Sequence, residues 1–134
     1  SPAEGPRLIY TYYQGSGPSL EKMRWFLQTA VYDPAIMTED LVQERYQASI
    51  DPDAMRVQTS PLTIREDLRD QLHRVAAPAL LVWGQDDRFA PIDIALTLLK
   101  HLQDARLHVF QRCGHWPQVE HAAEFNRLVR EFLG

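Results

Sequence analysis

The stretch ALLVWGQDDRFAPIDIALTLLKHLQDARLHVF, residues 79–110, decides the fold. It begins with the continuous apolar run ALLVWG, which is typical of a strand buried on both faces of a sheet. A segment with helical apolar spacing follows, and RLHVF then gives a second strand. The order strand, helix, strand predicts two parallel strands joined by a crossover helix. The sequence therefore predicts an α/β fold.

The segment after this stretch adds one more helix. VEHAAEFNRLVREFL, residues 119–133, has an apolar stripe formed by Phe125, Leu128, Val129 and Phe132. The order is then β-α-β-α. Because two parallel strands do not form a stable sheet alone, we expect this part to be the end of a larger α/β sheet whose earlier strands lie elsewhere.

The segment before the decisive stretch has a helical pattern and no clear strand. Ser19 and Thr38 stand where helix caps are expected, each ahead of a run with apolar residues at helical spacing. Two further helical pieces are predicted near residues 52–58 and 61–74. We predict a helical lid over residues 1–75 and a C-terminal β-α-β-α part over residues 76–134.

Composition excludes several classes of protein. The chain has 134 residues and a formal net charge of −4, which does not favour a nucleic-acid partner. No apolar run approaches the roughly 18 residues of a membrane span. A single cysteine, Cys113, excludes an internal disulfide and suits a reducing compartment, so we expect a cytoplasmic protein without a membrane partner.

Polar side chains follow both predicted strands. Asp86 and Asp87 come after the first, and His115 comes after the second. Sites in open parallel sheets form beyond the carboxyl ends of the strands. An acid and then a histidine, on successive loops, is the order of the last two triad members in α/β-hydrolases. Singly, these residues suit a capping acid and a surface histidine, but as a pair they favour catalysis.

Two motif regions carry a resemblance to a known family. LLVWGQDDRFAPID and ARLHVFQRCGHWPQVEHAAEFNRLVREFL, together with EGPRLIY and VYDPAIMTEDLVQERY, resemble the meta-cleavage-product hydrolases. These α/β-hydrolases split carbon–carbon bonds in ring-opened products of aromatic catabolism. The resemblance implies that Asp87, at the fourth position of GxxD, is the catalytic acid and that His115 is the base. Asp86 is then a solvated or structural neighbour.

The resemblance also implies a substrate-binding set. Phe89 and Trp116 correspond to residues that face the substrate pocket, with plain core packing as the alternative. Arg45 lies one turn after Leu41 and Val42, on the apolar side of the predicted helix. An arginine there covers apolar surface with its stem, pairs with an acid or meets an anion. The family likeness favours a role in binding the dienoate carboxylate.

The sequence contains no GxSxG, so the nucleophile elbow of this fold is absent from residues 1–134. We expect the C-terminal half of a serine-type hydrolase, inactive by itself, whose nucleophile lies in a missing N-terminal half. The implied substrate is a small 2-hydroxy-6-oxo-dienoate. We expect a homo-oligomer and no metal or other cofactor. The rival hypotheses are another lid-bearing hydrolase, such as an epoxide hydrolase, and a non-catalytic binding or assembly fragment.

Overall fold

A computed structural model describes residues 4–61 and 66–134 of the chain. Its first part is helical: α1 (Glu4–Tyr12), α2 (Leu20–Ala30), α3 (Glu39–Ser49) and α4 (Pro52–Thr59), with 3₁₀ turns at Pro34–Ile36 and Arg69–Arg74. Its second part runs β1 (Ala79–Gly84), α5 (Ile92–His101), β2 (Ala105–Phe110), α6 (Pro117–Glu120) and α7 (Ala122–Leu133). None of these helices is long and apolar enough to cross a membrane.

The two strands pair in parallel, which confirms the predicted β-α-β unit. Ala79 lies opposite Ala105 at one end, and Gly84 lies opposite Phe110 at the other. The expected burial of the first strand on both faces is not reached. Of its six residues only Gly84 is buried, and the others are half-buried. The cause is that the sheet of the described chain has two strands, so its faces and edges are incompletely covered.

The predicted helix starts in the first part are confirmed. The Ser19 hydroxyl accepts a hydrogen bond from the Lys22 amide, and the Thr38 hydroxyl accepts one from the Leu41 amide. Helix α4 matches the piece predicted near residues 52–58. The piece predicted over residues 61–74 differs, because Arg69–Arg74 form a 3₁₀ turn and residues 62–65 lie outside the described part.

The main apolar core lies among α1, α2 and α3. Its buried members are Tyr12, Met23, Leu27 and Val42. Trp116, from the loop after β2, packs against this cluster. That contact joins the helical part to the strand part at the carboxyl end of the sheet.

The C-terminal segment is two helices rather than the single predicted one. His121 separates α6 from α7 with φ −131° and ψ 47°. Its ring stacks on Phe110 at 4.7 Å between centroids, and its Nε2 lies 3.3 Å from the Arg112 carbonyl oxygen. These contacts hold His121 against the end of β2. Beyond it, the predicted stripe of α7 is half-buried.

Candidate active site

The site forms where both strands end. The Gln85 amide donates to the Phe110 carbonyl at 2.8 Å, and the Asp86 amide donates to the Cys113 carbonyl at 2.9 Å. A Cβ on Gly84 would lie 1.9 Å from the Gly114 carbonyl oxygen. The loop after β1 and the loop after β2 are therefore in direct backbone contact. Glycine is required at this position because a larger residue would force the two loops apart.

Asp87 and His115 form a hydrogen-bonded pair across these loops. His115 Nδ1 lies 2.9 Å from Asp87 Oδ2. The other carboxylate oxygen, Oδ1, accepts from the Phe89 amide at 2.8 Å and the Ala90 amide at 2.9 Å. The Asp87 side chain is 5% exposed, whereas that of His115 is 40% exposed. One partner is thus a fixed, buried acceptor, and the other presents a ring edge to solvent.

The electrostatics keep Asp87 ionised. Burial acts to raise the pKa of its carboxyl group, but the hydrogen bonds from His115, Ala90 and Phe89 outweigh it, and the net pKa is lowered. An ionised carboxylate at Nδ1 favours the tautomer with the proton on Nδ1. That tautomer leaves Nε2 as a proton acceptor.

Asp86 and Cys113 link the two loops to each other. Asp86 is exposed, and its Oδ2 accepts from the Cys113 amide at 3.4 Å. Cys113 is fully buried, as expected for a small packing thiol. Burial and the neighbouring charge of Glu120 raise the pKa of the Cys113 thiol to about 12. A thiol held protonated in this way is a poor nucleophile.

Aromatic rings lead from His115 into the helical part. The Phe89 ring is 5.0 Å from the His115 ring on one side and 5.0 Å from Phe26 on the other. Phe26 in turn lies 6.3 Å from Tyr12. Phe89 is 7% exposed, so it both packs in the interior and touches the candidate base. The two interpretations of Phe89, pocket wall and core residue, are compatible with this position.

Arg45 lies over Trp116 at the edge of an apolar cavity. Its guanidinium carbon is 5.7 Å from the centroid of the Trp116 ring, within the range of a cation–π contact. Arg45 is exposed, and within residues 4–61 and 66–134 no carboxylate forms an ion pair with it. The cavity has a volume of about 450 Å³, and its walls include Tyr12, Tyr13, Phe26, Arg45 and Ser49.

The loop between β2 and α6 carries His115 and is called the histidine loop. It is anchored by residues that the prediction from sequence did not include. The His115 amide donates to the Ala30 carbonyl at 2.6 Å, so the loop is tied to the end of α2. Glu120 accepts from the Gly114 amide at 2.9 Å and from the Trp116 amide at 3.3 Å. An available signal was a glutamate near the start of a predicted helix, a position suited to capping backbone amides.

The remaining histidines lie on the surface or in packing contacts. His73 and His101 are exposed, while His108 and His121 both pack on Phe110. Within the described part of the chain, no three His, Cys, Asp or Glu side chains are grouped as metal ligands.

A parallel sheet that carries an acid and then a histidine at the carboxyl ends of adjacent strands defines the C-terminal part of an α/β-hydrolase fold. A model described as "Alpha/beta hydrolase family" matches residues 1–128, and the chain belongs to this family.

The chain is also similar to particular hydrolases. It is 42% identical to a 2-hydroxy-6-oxononadienedioate/2-hydroxy-6-oxononatrienedioate hydrolase of Burkholderia vietnamiensis, over 98% of this chain and 47% of that protein. It is 41% identical to a 2-hydroxy-6-oxo-6-phenylhexa-2,4-dienoate hydrolase of Comamonas testosteroni, with 98% and 47% covered. The chain thus spans about half the length of these relatives.

A solved structure agrees with this similarity. A meta-cleavage product hydrolase from Pseudomonas fluorescens IP01 (CumD) superposes with a TM-score of 0.83 at 33% identity. The superposition covers 97% of this chain and 49% of that one. The sequence resemblance and the fold therefore point to the same relatives.

Proposed function

We propose that this chain supplies the lid, the catalytic acid and the catalytic base of a serine-type hydrolase that cleaves a carbon–carbon bond of 2-hydroxy-6-oxo-dienoates. Residues 1–75 form the lid, and residues 76–134 belong to the catalytic core. The serine lies outside residues 1–134, because the sequence has no GxSxG. The whole protein is called the full-length enzyme below and comprises this chain together with the segment that carries the nucleophile.

Asp87 and His115 act in sequence on the proton of that serine. Asp87 holds His115 through the 2.9 Å contact at Nδ1, so Nε2 accepts the proton as the serine oxygen attacks. Asp87 then stabilises the imidazolium. His115 returns the proton to the leaving group. The backbone bonds to Asp87 Oδ1 keep the carboxylate in place throughout.

The substrate class is supported by Arg45 and its cavity. The dienol must first be converted to the keto form, because the carbanion left after cleavage is otherwise too unstable. The serine oxygen then attacks the C6 ketone, and the C5–C6 bond breaks to release a 2-hydroxydienoate, whose carbon takes the proton from His115. Water then hydrolyses the acyl-serine, with His115 again as base, to give the carboxylic acid and restore the serine. In this proposal Arg45 holds the dienoate carboxylate, and the substrate contacts both Trp116, which lies against Arg45, and Phe89, which lies against His115. No metal takes part in this scheme.

The observation that carries the proposal is the Asp87–His115 pair, since its geometry serves proton transfer at Nε2. The rival epoxide hydrolase would use the same pair with an aspartate nucleophile. The two differ in one residue of the missing segment, serine or aspartate at the elbow. A binding or assembly module would have no use for the pair.

The test compares two neighbouring carboxylates in the full-length enzyme. Asp87→Asn should lower kcat for a dienoate by about 10⁴-fold, the loss typical of the orienting acid in a triad. Asp86→Asn is the matched control and should change kcat far less, because Asp86 bonds to the Cys113 amide rather than to His115. A larger loss from Asp86→Asn, or equal losses, would overturn the assignment.

A further inference from the structure

The Glu120 carboxylate accepts hydrogen bonds from backbone amides in two distant parts of the chain. Its Oε1 accepts from Gly114 at 2.9 Å and from Trp116 at 3.3 Å. Its Oε2 accepts from Tyr32 at 2.8 Å, and Tyr32 is 88 residues away in sequence. Gly114 and Trp116 are the two residues that flank His115. A single carboxylate thus holds both neighbours of the candidate base and the segment that follows α2.

The surroundings of His115 leave few other restraints on it. The side chain is 40% exposed, and its ring contacts Phe89 on one side. Its position otherwise depends on the Asp87 contact and on the backbone of the loop. That backbone is held by Glu120 on both sides and by the bond from the His115 amide to Ala30 in the middle. Small backbone shifts matter here, because proton transfer requires placement of Nε2 to within about 0.5 Å.

We propose that Glu120 is a positioning residue that aligns His115 for proton transfer and couples this alignment to the end of α2. Glu120 does not touch the reacting atoms. It acts through the amides of Gly114, Trp116 and Tyr32, which an ionised carboxylate binds more strongly than a neutral group does. The inference rests on the proposed function in taking His115 as the base.

Close packing makes the coupling rigid. A Cβ on Gly114 would lie 2.5 Å from the Ala30 carbonyl oxygen and 3.0 Å from Val31 atoms. The loop therefore sits directly on the end of α2, where Ala30 and Val31 are buried. A displacement of this helix end would be transmitted to His115 through both the packing and the Glu120 bonds.

The test replaces Glu120 in the full-length enzyme. Glu120→Gln keeps the shape but loses the charge, and its amide group cannot accept at both positions. We expect kcat to fall by about 10- to 100-fold, as for loss of charge-assisted hydrogen bonds, with KM changed by less than about threefold. Glu120→Asp keeps the charge on a shorter stem and should recover part of kcat. Glu124→Gln is the matched control, an exposed glutamate one turn further on, and should leave kcat unchanged.

A second measurement separates positioning from general stability. The Nδ1 proton of His115, bonded to Asp87, should give a downfield NMR resonance that broadens or shifts in Glu120→Gln and persists in Glu124→Gln. An unchanged resonance together with unchanged kcat would overturn the proposal. Equal losses of kcat in Glu120→Gln and Glu120→Asp, in proportion to a lowered melting temperature, would also overturn the proposal.

The assays keep this inference distinct from the proposed function. Each variant is tested on a dienoate and on a neutral activated ester. If the wild type hydrolyses only the ester, the substrate proposal fails, but the effect of Glu120 on His115 is still read from ester turnover. If it hydrolyses neither, the resonance of the His115–Asp87 pair alone decides whether Glu120 positions the ring.

Discussion

At the scale of single residues, the two partners of the candidate pair differ in environment, and that difference suits their roles. Asp87 is enclosed and accepts three hydrogen bonds, so it stays ionised and fixed. His115 keeps an open ring edge, which a base that must meet an external nucleophile needs. Asp86, one position away in sequence, is exposed and accepts from the Cys113 amide instead of bonding to His115.

The lowered pKa of Asp87 predicts a pH-dependent contribution to stability. A carboxyl group with a pKa below its unfolded value of about 3.9 stabilises the fold fully above that pH. The contribution is lost as the pH falls through the lower folded pKa. The difference in free energy of unfolding between the wild type and Asp87→Asn should therefore shrink below about pH 4, as measured by denaturant unfolding of the full-length enzyme.

Thr38→Ala serves as the control for this pH dependence. It removes the cap bond to the Leu41 amide, and neither group titrates, so its cost of about 1 kcal/mol should stay constant with pH. An Asp87→Asn difference that grows in acid would contradict the favourable role of the carboxylate.

Arg45 gives a prediction about the substrate. In the full-length enzyme, Arg45→Ala should lower kcat/KM for a dienoate by roughly 10- to 150-fold, the effect of losing a charge-assisted contact of about 1.5–3 kcal/mol. Arg45→Lys should recover only part, because lysine lacks the planar fork that stacks on Trp116 and grips a carboxylate. Hydrolysis of a neutral ester should change much less.

Arg56→Ala is the matched control for Arg45. Arg56 is an exposed arginine of α4 that pairs with Asp53. The Arg56→Ala variant should hydrolyse both the dienoate and the neutral ester at rates near those of the wild type. If Arg45→Ala slows ester and dienoate alike, Arg45 is a structural residue that steadies Trp116, and the carboxylate-binding role is wrong.

At the scale of elements, the sequence predicted best where one local pattern has one structural solution. The apolar run of β1, the helical spacing of α5 and the caps at Ser19 and Thr38 all gave the observed elements. No local pattern predicts helix α1 on its own, because it contains Gly5 and Pro6, which weaken the helical signal. Its place depends on tertiary contacts such as the bond from the Gly5 amide to the Arg88 carbonyl, which no local pattern reveals.

The site, too, was predictable only where local pattern and chain order determine it. Strand ends and chain order indicate His115 together with Asp86 or Asp87, since parallel strands bring their carboxyl ends together, and the family resemblance then selects Asp87. The hydrogen bonds from the Tyr32 amide to Glu120 and from the His115 amide to Ala30 join segments more than 80 residues apart. No local sequence pattern predicts them. The single predicted C-terminal helix is wrong for a related reason. His121 makes nonlocal contacts with Phe110 that interrupt it.

The contact between the end of β1 and the histidine loop yields a prediction at this scale. A methyl group at Gly84 would meet the carbonyl oxygens of Gly114 and Cys113, both backbone atoms that cannot rotate away. Gly84→Ala should cost about 1–3 kcal/mol of stability from overpacking and should also lower kcat by displacing His115. Thermal unfolding and turnover of the full-length enzyme measure the two effects.

Gln85→Ala is the control for Gly84→Ala. Gln85 is exposed and adjacent to Gly84, and its backbone bond to Phe110 does not depend on its side chain. Its stability and kcat should stay near the wild-type values. A Gly84→Ala variant with full kcat would show that the loop tolerates displacement, which would weaken the argument that its placement limits turnover.

At the scale of the whole molecule, the described chain carries the proposed acid and base at the ends of a two-stranded sheet. Asp87 and His115 are hydrogen-bonded to each other, but residues 1–134 contain no GxSxG. Trp25, Ile9 and Leu133 are each more than half exposed, with exposed fractions of 57%, 53% and 74%. The residues of β1 are only half-buried. Apolar surface and unpaired strand edges of this kind favour association with another polypeptide segment.

This arrangement predicts that a polypeptide of residues 1–134 alone will not hydrolyse 2-hydroxy-6-oxo-6-phenylhexa-2,4-dienoate. Residues 1–134 have no nucleophile elbow whose serine could pass its proton to His115. Each oxyanion donor that the nucleophile segment would supply is worth roughly 10²–10³ in kcat. Adding a separately expressed segment that bears a nucleophile elbow and an oxyanion hole should restore turnover, because it would supply both missing groups and cover the open sheet. The same mixture made with Asp87→Asn should stay nearly inactive, which ties the restored activity to this chain's own pair. The measurement is the loss of dienoate absorbance with and without the added segment. Turnover by residues 1–134 alone would overturn the assignment of His115 as a base for an external serine.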